Sequence, residues 1–422
     1  MKPGGRQAGR GLRVPARLRW KRAVATVLAV ACSALAAAPA AVSQEPEKLF
    51  VNDRSGAAAA AEVLEGQARA DALALARVPS ATWFMESSPE EARAAVADVM
   101  DRAAAEGAVP VLVAYNVPHR DCALYSAGGA RDTAAYIRWI EAFAAGIGKG
   151  RAIVVLEPDG LGVIPFNRNV DGDPEPCRPE GADPAHAAAE RFAQLSRAVE
   201  ILKAMPGARV YLDGTGSNWL PPGDAADRLI KANIGKADGF FLNVSNFESD
   251  DRITRYAAWL SDCLALVTAG ALEARSCSSQ FHPANDDDMA TWAETDRAYD
   301  RAFAKAGLTR DPVRQKHAVI DTSRNGAGSW NPPDGWYKDA ETWCNPPGRG
   351  LGRRPTLQTD NPYIDAFLWI KVPGESDGPC HRGTPGPLDP ARGIAAPPAG
   401  NWFPDQAREL IQHANPPFDI SR

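Results

Sequence analysis

Short apolar runs alternate with longer amphipathic stretches along most of this chain. The runs Leu49–Val51, Ala81–Phe84, Val109–Tyr115, Ala152–Leu156, Arg209–Leu212, Gly239–Asn243, Ala318–Ile320 and Ala366–Ile370 read as strands. Val109–Val113 and Ile153–Leu156 are apolar on both faces. Strands covered on both sides belong to parallel sheets flanked by helices. Helix starts are legible between them. Ser88-Pro89-Glu90 places an N-cap, a first-turn proline and an acid in order, for a helix running towards Glu106. Asp183-Pro184 opens a helix to about Met205, and Asp132–Gly146 and Asp405–His413 also read as helices. Repeated units of this size predict an α/β fold, a closed or nearly closed parallel barrel. Active sites of such barrels lie beyond the C-terminal ends of the strands.

Those strand ends are rich in carboxylates. Tyr115 leads to Asp121, Leu156 to Glu157 and Asp159, Leu212 to Asp213, Ile320 to Asp321, and Ile370 to Glu375 and Asp377. An aspartate after a strand is also a common turn former, so each alone carries little weight. Their convergence on one rim carries more. Crowded carboxylates raise one another's pKa, leaving one protonated as a general acid, and glycoside hydrolysis needs such a pair. Trp219, Trp330, Trp336 and Trp343 lie in loops, where flat faces suit sugar rings. Trp83, Trp139, Trp259 and Trp369 fall inside predicted elements and read as packing.

The chain has 422 residues and a net charge of −5, with no basic cluster beyond its start, which excludes nucleic acid as a partner class. Lys2 to Arg22 is a basic leader, Ala23 to Ala38 is apolar, and Pro39 to Ser43 is small. Residues 1–43 therefore read as a secretory signal peptide, cut near Ala41–Ser43. A membrane anchor is the rival reading, although the apolar run is short of the ~20 residues a span needs. Cys32 has Ala29 where a lipobox usually wants Leu. Six further cysteines fit three disulfides in an exported chain. Sequence order suggests Cys122–Cys177, Cys263–Cys277 and Cys344–Cys380. From Lys48 to Arg422 the pattern reads as one domain. There is no GxxxxGK[ST], HExxH or strand-borne GxGxxG. The letters GxSxG occur at Gly374–Gly378, but Pro379 and Cys380 follow where a nucleophile elbow needs a helix.

Seven segments in order resemble glycoside hydrolase family 6, the cellulase family of endoglucanases and cellobiohydrolases. They are YNVPHRDC at 115–122, VVLEPDGLG at 154–162, YLDGTGSNW at 211–219, NVSNF at 243–247, HAVIDTSRNGAG at 317–328, WCN at 343–345 and LWIKVPGESDG at 368–378. The resemblance spans about Leu49 to Pro417. It implies a distorted (β/α) barrel with a mainly parallel sheet of seven or so strands. It makes Asp159 the general acid, Asp121 the neighbour that raises its pKa, and Asp377 the base, acting through water. Tyr115 would press on the sugar at the cleavage point. Lys371 and Glu375 would bond its hydroxyls, and Trp219 and Trp343 would stack on flanking sugars. Asp213, Arg120 and Asn243 complete the substrate-binding set. No metal or organic cofactor is implied. The expected partner is a β-glucan, met by a secreted, inverting, monomeric enzyme with no membrane attachment once mature.

Two departures bear on sugar binding. Gly216 stands where family members usually carry His, with Asn218 as a candidate replacement, and Phe50–Ser55 lacks the Trp some fungal members use. The short stretch after Cys122 and the early arrival of Cys380 after Asp377 favour an open cleft and internal cleavage. The lengths of Phe247–Lys316 and Gly335–Pro355, sufficient to roof the cleft, favour exo attack. A catalytically silent glucan-binding protein is the alternative from another class.

Overall fold

The computed structural model describes residues 47–420, so the signal-peptide reading of 1–43, with Cys32, lies outside the described residues. Nine strands follow in chain order: β1 (Lys48–Leu49), β2 (Thr82–Phe84), β3 (Ala108–Val109), β4 (Val111–Ala114), β5 (Ala152–Leu156), β6 (Ala208–Asp213), β7 (Gly239–Leu242), β8 (His317–Asp321) and β9 (Ile364–Leu368). The helices are α1 (Gly56–Val63), α2 (Gly66–Ala76), α3 (Pro89–Ala105), α4 (Thr133–Ile147), α5 (Ala187–Lys203), α6 (Pro222–Lys231), α7 (Asp250–Thr268), α8 (Trp292–Ala306) and α9 (Pro404–Gln412).

β2 and β4 to β9 form one parallel sheet whose spatial order follows the chain, curled into a half-barrel. Side-chain parity shows why. On β4, Val111 and Val113 face inward with Ile153, Val155, Tyr211, Phe241 and Val319, whereas Leu112 and Ala114 face outward with Val154, Leu156, Val210 and Leu212. Alternate residues of a strand point to opposite faces, so one apolar run fills the barrel and seats the helices at once. The edges β2 and β9 share no ladder. The Ala81 N–H donates to the Trp369 carbonyl at 2.9 Å, and Trp83 Nε1 to the Ile370 carbonyl at 2.8 Å. The curl is thus tied at its seam while its mouth stays accessible.

Several expectations shift in detail. Pro110, which has no N–H to donate, divides the predicted run Val109–Tyr115, and β1 pairs with β3 outside the main sheet. β9 ends at Leu368, because the Ile370 and Lys371 N–H groups donate to the Asp321 carboxylate instead. α5 begins at Ala187, since the Asp183 carboxylate is engaged by the Ala185 N–H and the His186 ring in a preceding turn. Ser88 does cap α3 through a full capping box with Glu91, and Asp132 caps α4. Much of the long segment Phe247–Lys316 is α7 and α8, whose Trp259 and Trp292 stack in the outer core. That length covers the barrel wall, and the cleft lining stops just before it, at Asn246. Trp139, Trp259 and Trp369 are buried, as expected of packing residues. Among the described residues no helix is long and apolar enough to cross a membrane.

The three disulfides pair as sequence order suggests: Cys122–Cys177, Cys263–Cys277 and Cys344–Cys380. The first and third sit one residue from Asp121 and three from Asp377. A crosslink beside a mobile group limits its positions more than it limits a packed core. During titration with reductant, the hydrolytic activity implied by the family resemblance is expected to fall before the far-ultraviolet helical signal. Simultaneous loss of both would contradict a local role for these bridges.

Candidate active site

At the C-terminal mouth of the sheet lies a cleft of about 550 Å³. Its lining includes Tyr115, Asp121, Asp159, Trp219, Trp343, Lys371, Glu375 and Asp377. Each comes from a loop that follows a strand, except Tyr115, the residue directly after β4. Loop backbones here take conformations that L residues rarely adopt. Asp121, Cys122, Glu157 and Asp159 all have φ between 47° and 62°. Such torsions persist where surroundings over-determine them, and they cluster at functional sites.

The strand-end carboxylates divide into two kinds. Glu157 is wholly buried and accepts the Asn116 and Val117 N–H groups at 2.9 and 3.0 Å, tying the β4 loop to the β5 loop. Asp213, the last residue of β6, accepts the Leu161 and Gly162 N–H groups at 3.2 and 3.0 Å, fixing the turn that carries Asp159. Asp321 does the same for Ile370 and Lys371, which lead to Asp377. These three act as staples, and none lines the cleft. The expected contact of Asp213 with substrate is corrected accordingly. Asn243 is corrected in the same way: it is fully buried, donates to the Asp321 carbonyl at 2.9 Å and accepts from the Glu248 N–H at 3.1 Å.

Asp121, Asp159, Glu375 and Asp377 are the motif carboxylates that line the cleft. Burial, and then the negative charges of Asp121, Asp213 and Asp377, push Asp159 well above the usual carboxylate range. Burial also lifts Asp121 to about 6, against the opposing pull of the Ser126 N–H and Arg120. Asp377 goes the other way. Burial alone would raise it, but Arg324 Nη1 at 2.7 Å and Lys371 Nζ at 3.2 Å hold its carboxyl below the usual range. One carboxyl is therefore displaced upward and another downward within a single cleft, the direction of difference that a proton donor and an ionised partner call for.

The supports of Asp377 are built from short-range geometry. Asn345 accepts the Asp377 N–H with its side chain, gives its own N–H to Asp377 Oδ2, and donates to the Ser376 hydroxyl, each at 2.9 Å. Gln406 on α9 holds Asn345 at 2.8 Å. Gly374 has φ 92°, and a Cβ there would lie 2.6 Å from the Trp402 ring, so only glycine lets this loop close on α9. On the other wall, a Cβ on Gly162 would lie 2.2 Å from the Trp219 indole. Glu375 is pushed up to about 7 by burial, with Lys371 opposing.

Arg120 lines the cleft but is committed to the protein. It donates to Glu86, to the Tyr115 carbonyl and to the Ser126 carbonyl at 2.8–2.9 Å, and its guanidinium stacks 4.5 Å from the Tyr115 ring centroid. Sequence reasoning assigned Trp83 to packing, yet it lines the cleft, edge-on to Tyr115 at 5.2 Å. An aromatic on an edge strand can serve both functions, and nothing in its local pattern marks the second. Trp330 and Trp336 do not line the cleft; Trp330 packs on Arg382 at 4.7 Å, and Trp336 is exposed. Arg324 was missed because its partner lies 53 residues away. Asn218 and Asn246 line the cleft beside Gly216, where Asn218 Oδ1 lies 3.3 Å from the position a Cβ would take.

A parallel half-barrel with opposed carboxyls and aromatic walls at its strand ends defines a glycoside hydrolase. Sequence comparison identifies the kind. The profile of Glycosyl hydrolases family 6 matches residues 44–414, and the chain belongs to that family. It is 32% identical to endoglucanase A of Thermobispora bispora over 408 residues, covering 94% of this chain and 71% of the relative. The endoglucanase Cel6 of Mycobacterium tuberculosis, solved with methyl-cellobiosyl-4-deoxy-4-thio-β-D-cellobioside, superposes with TM-score 0.62 at 31% identity, over 87% of this chain and 98% of that one. The catalytic core of the cellobiohydrolase Cel6A of Chaetomium thermophilum gives 0.59 at 25% identity, over 88% and 98%.

The Arg324–Asp377 pair generates a test. Arg324→Met leaves Asp377 buried with Lys371 as its remaining paired cation, and breaking a buried pair costs about 3–5 kcal/mol. Asp377 has a depressed native pKa, so its pairing stabilises the fold above its ordinary value of 3.8 and is lost as pH falls below that. The stability gap between wild type and variant, read by urea denaturation, should be full at neutral pH and narrow below about 4. A gap independent of pH would contradict the assigned electrostatics.

Proposed function

We propose that this protein is a secreted, inverting endo-β-1,4-glucanase that cuts internal bonds of cellulose or a related β-glucan. The observation that carries the reading is the opposite displacement of two buried carboxyls in one cleft, Asp159 upward and Asp377 downward. A glucan chain lies against Trp219 and Trp343, with Tyr115 and Trp83 beneath the sugar at the cleavage point. Asp159 gives its proton to the glycosidic oxygen as that bond breaks. A water on the opposite face of the ring attacks the anomeric carbon, and its proton passes towards Asp377. Lys371 and Arg324 make Asp377 a weak proton acceptor, so it serves chiefly as a fixed negative charge that draws the proton through water, from where it passes to solvent. Asp121 holds up the pKa of Asp159 and orders the water.

Residues 48–422 act as one catalytic domain without a metal or organic cofactor, as a monomer. Three disulfides support export, since such bonds persist in oxidising compartments. The short loop after Cys122, the Cys344–Cys380 bridge behind Asp377 and the commitment of 250–268 and 292–306 to outer helices support internal attack. Relatives named endoglucanases support it as well. Exo attack is the second reading, favoured by the reach of residues 335–355, which bring Thr342 and Trp343 to the cleft.

The test is to follow viscosity and reducing ends together during digestion of carboxymethyl cellulose. A steep viscosity fall with few new ends is the expected result, and Asp159→Asn should lower kcat by about 10²–10⁴-fold. New ends with little change in viscosity would favour exo attack. An Asp159→Asn variant as active as wild type would overturn the acid assignment.

A further inference from the structure

Tyr125 belongs to no motif the catalytic reading uses, yet it stands where the loops of the site meet. It lies four residues after Asp121, in the loop between β4 and α4, and lines the cleft. Its hydroxyl donates to Glu341 Oε1 at 2.7 Å and accepts the His381 N–H at 3.0 Å. Glu341 Oε2 accepts the Arg382 N–H at 2.7 Å, so one carboxylate bridges both loops. The Tyr125 ring lies so close to Gly378 that a Cβ there would be 2.7 Å from it. It also packs 5.7 Å from Trp343 and 6.0 Å from His381, measured between ring centroids. Three segments converge on this one side chain: that of Asp121, that of Trp343 and that of Asp377.

The loop behind Tyr125 transmits its position to Asp121. The Ser126 N–H, next in sequence, donates to Asp121 Oδ2 at 2.7 Å, and the Arg120 and Gly128 backbones pair across the turn. The junction is also strained, with Asp121, Glu341, Cys380 and Arg382 all at positive φ. Strained loops open readily unless something holds them.

We propose that Tyr125 is a positioning residue, clasping the Asp121 loop to the loops of Trp343 and Asp377 and thereby holding Asp121 beside Asp159. The proposal rests on the assignment of Asp159 as acid and Asp121 as its neighbour. With the clasp open, Asp121 moves away and Asp159 loses a neighbouring negative charge. The groups facing Asp159 are Asp121, Asp213, Asp377 and Tyr115; those facing Tyr125 are Glu341, His381 and Arg382. Removal of a negative neighbour lowers the pKa of an acid, so the alkaline limb of the activity profile moves to lower pH.

The experiment compares wild type, Tyr125→Phe, Glu341→Ala, the double variant and Asp159→Asn on a soluble cello-oligosaccharide across pH. Tyr125→Phe keeps the ring and removes only the hydroxyl. Its kcat should fall about tenfold, the upper range for one hydrogen bond, with KM changed less than about twofold and the alkaline limb shifted down. Glu341→Ala should do the same, and the double variant should lose clearly less than the two losses combined, because both remove the shared Tyr125–Glu341 hydrogen bond. Unchanged kcat and limb in Tyr125→Phe, with Asp159→Asn inactive, would overturn the clasp and leave the catalytic reading standing. An active Asp159→Asn would overturn that reading itself. Should Tyr125→Phe melt early, Glu341→Ala reads the clasp from its other side, and unchanged kinetics there overturn it equally.

Discussion

The structure turns on the cost of ionising several carboxyls in one dry place. A buried carboxylate is stable only when hydrogen bonds or cations compensate its lost hydration. Each acid at the mouth of this half-barrel solves that problem differently. Glu157, Asp213 and Asp321 receive backbone N–H groups, and by accepting them they fix the neighbouring loops. Asp377 receives Arg324 and Lys371 and stays ionised. Asp159, facing other negative charges, has neither remedy, and its pKa is driven well above the usual carboxylate range. The carboxyl proposed as general acid is the one the fold leaves uncompensated.

This arrangement depends on the barrel, since parallel strands in chain order deliver every loop to one rim. Inward-facing valines and aromatics form a buried apolar cluster beneath the carboxyls. Disulfides at Cys122 and Cys380, with the Asn345 and Gln406 hydrogen bonds, restrict the loops above. Restraint of this kind keeps the cleft carboxyls pre-placed relative to one another, as preorganised sites require.

Much of this was legible in the sequence. Apolar runs gave seven of the sheet strands to within two or three residues at their ends, and Ser88 and Asp132 marked their helices because capping chemistry is local. Asp121, Asp159 and Asp377 stood out through their motifs. Asn243 and Asp213 were misplaced because a polar residue at a strand end looks the same whether it faces a sugar or a backbone N–H. Arg324, Asn345 and Tyr125 went unread because their roles depend on partners more than 30 residues away. Helices α7 and α8 lay unread within a long segment, although Ser249-Asp250-Asp251 offers an N-cap and first-turn acids for α7.

The central claim is that Asp159 remains protonated where Asp377 does not. Carbon-13 NMR titration of the aspartate carboxyls, with Asp159→Asn and Asp377→Asn for assignment, tests it directly. The account predicts that the Asp159 carboxyl is still protonated near neutral pH while the Asp377 carboxyl stays ionised to below its ordinary value of 3.8. Titration of Asp159 near 4, the usual position for an aspartate, would contradict it.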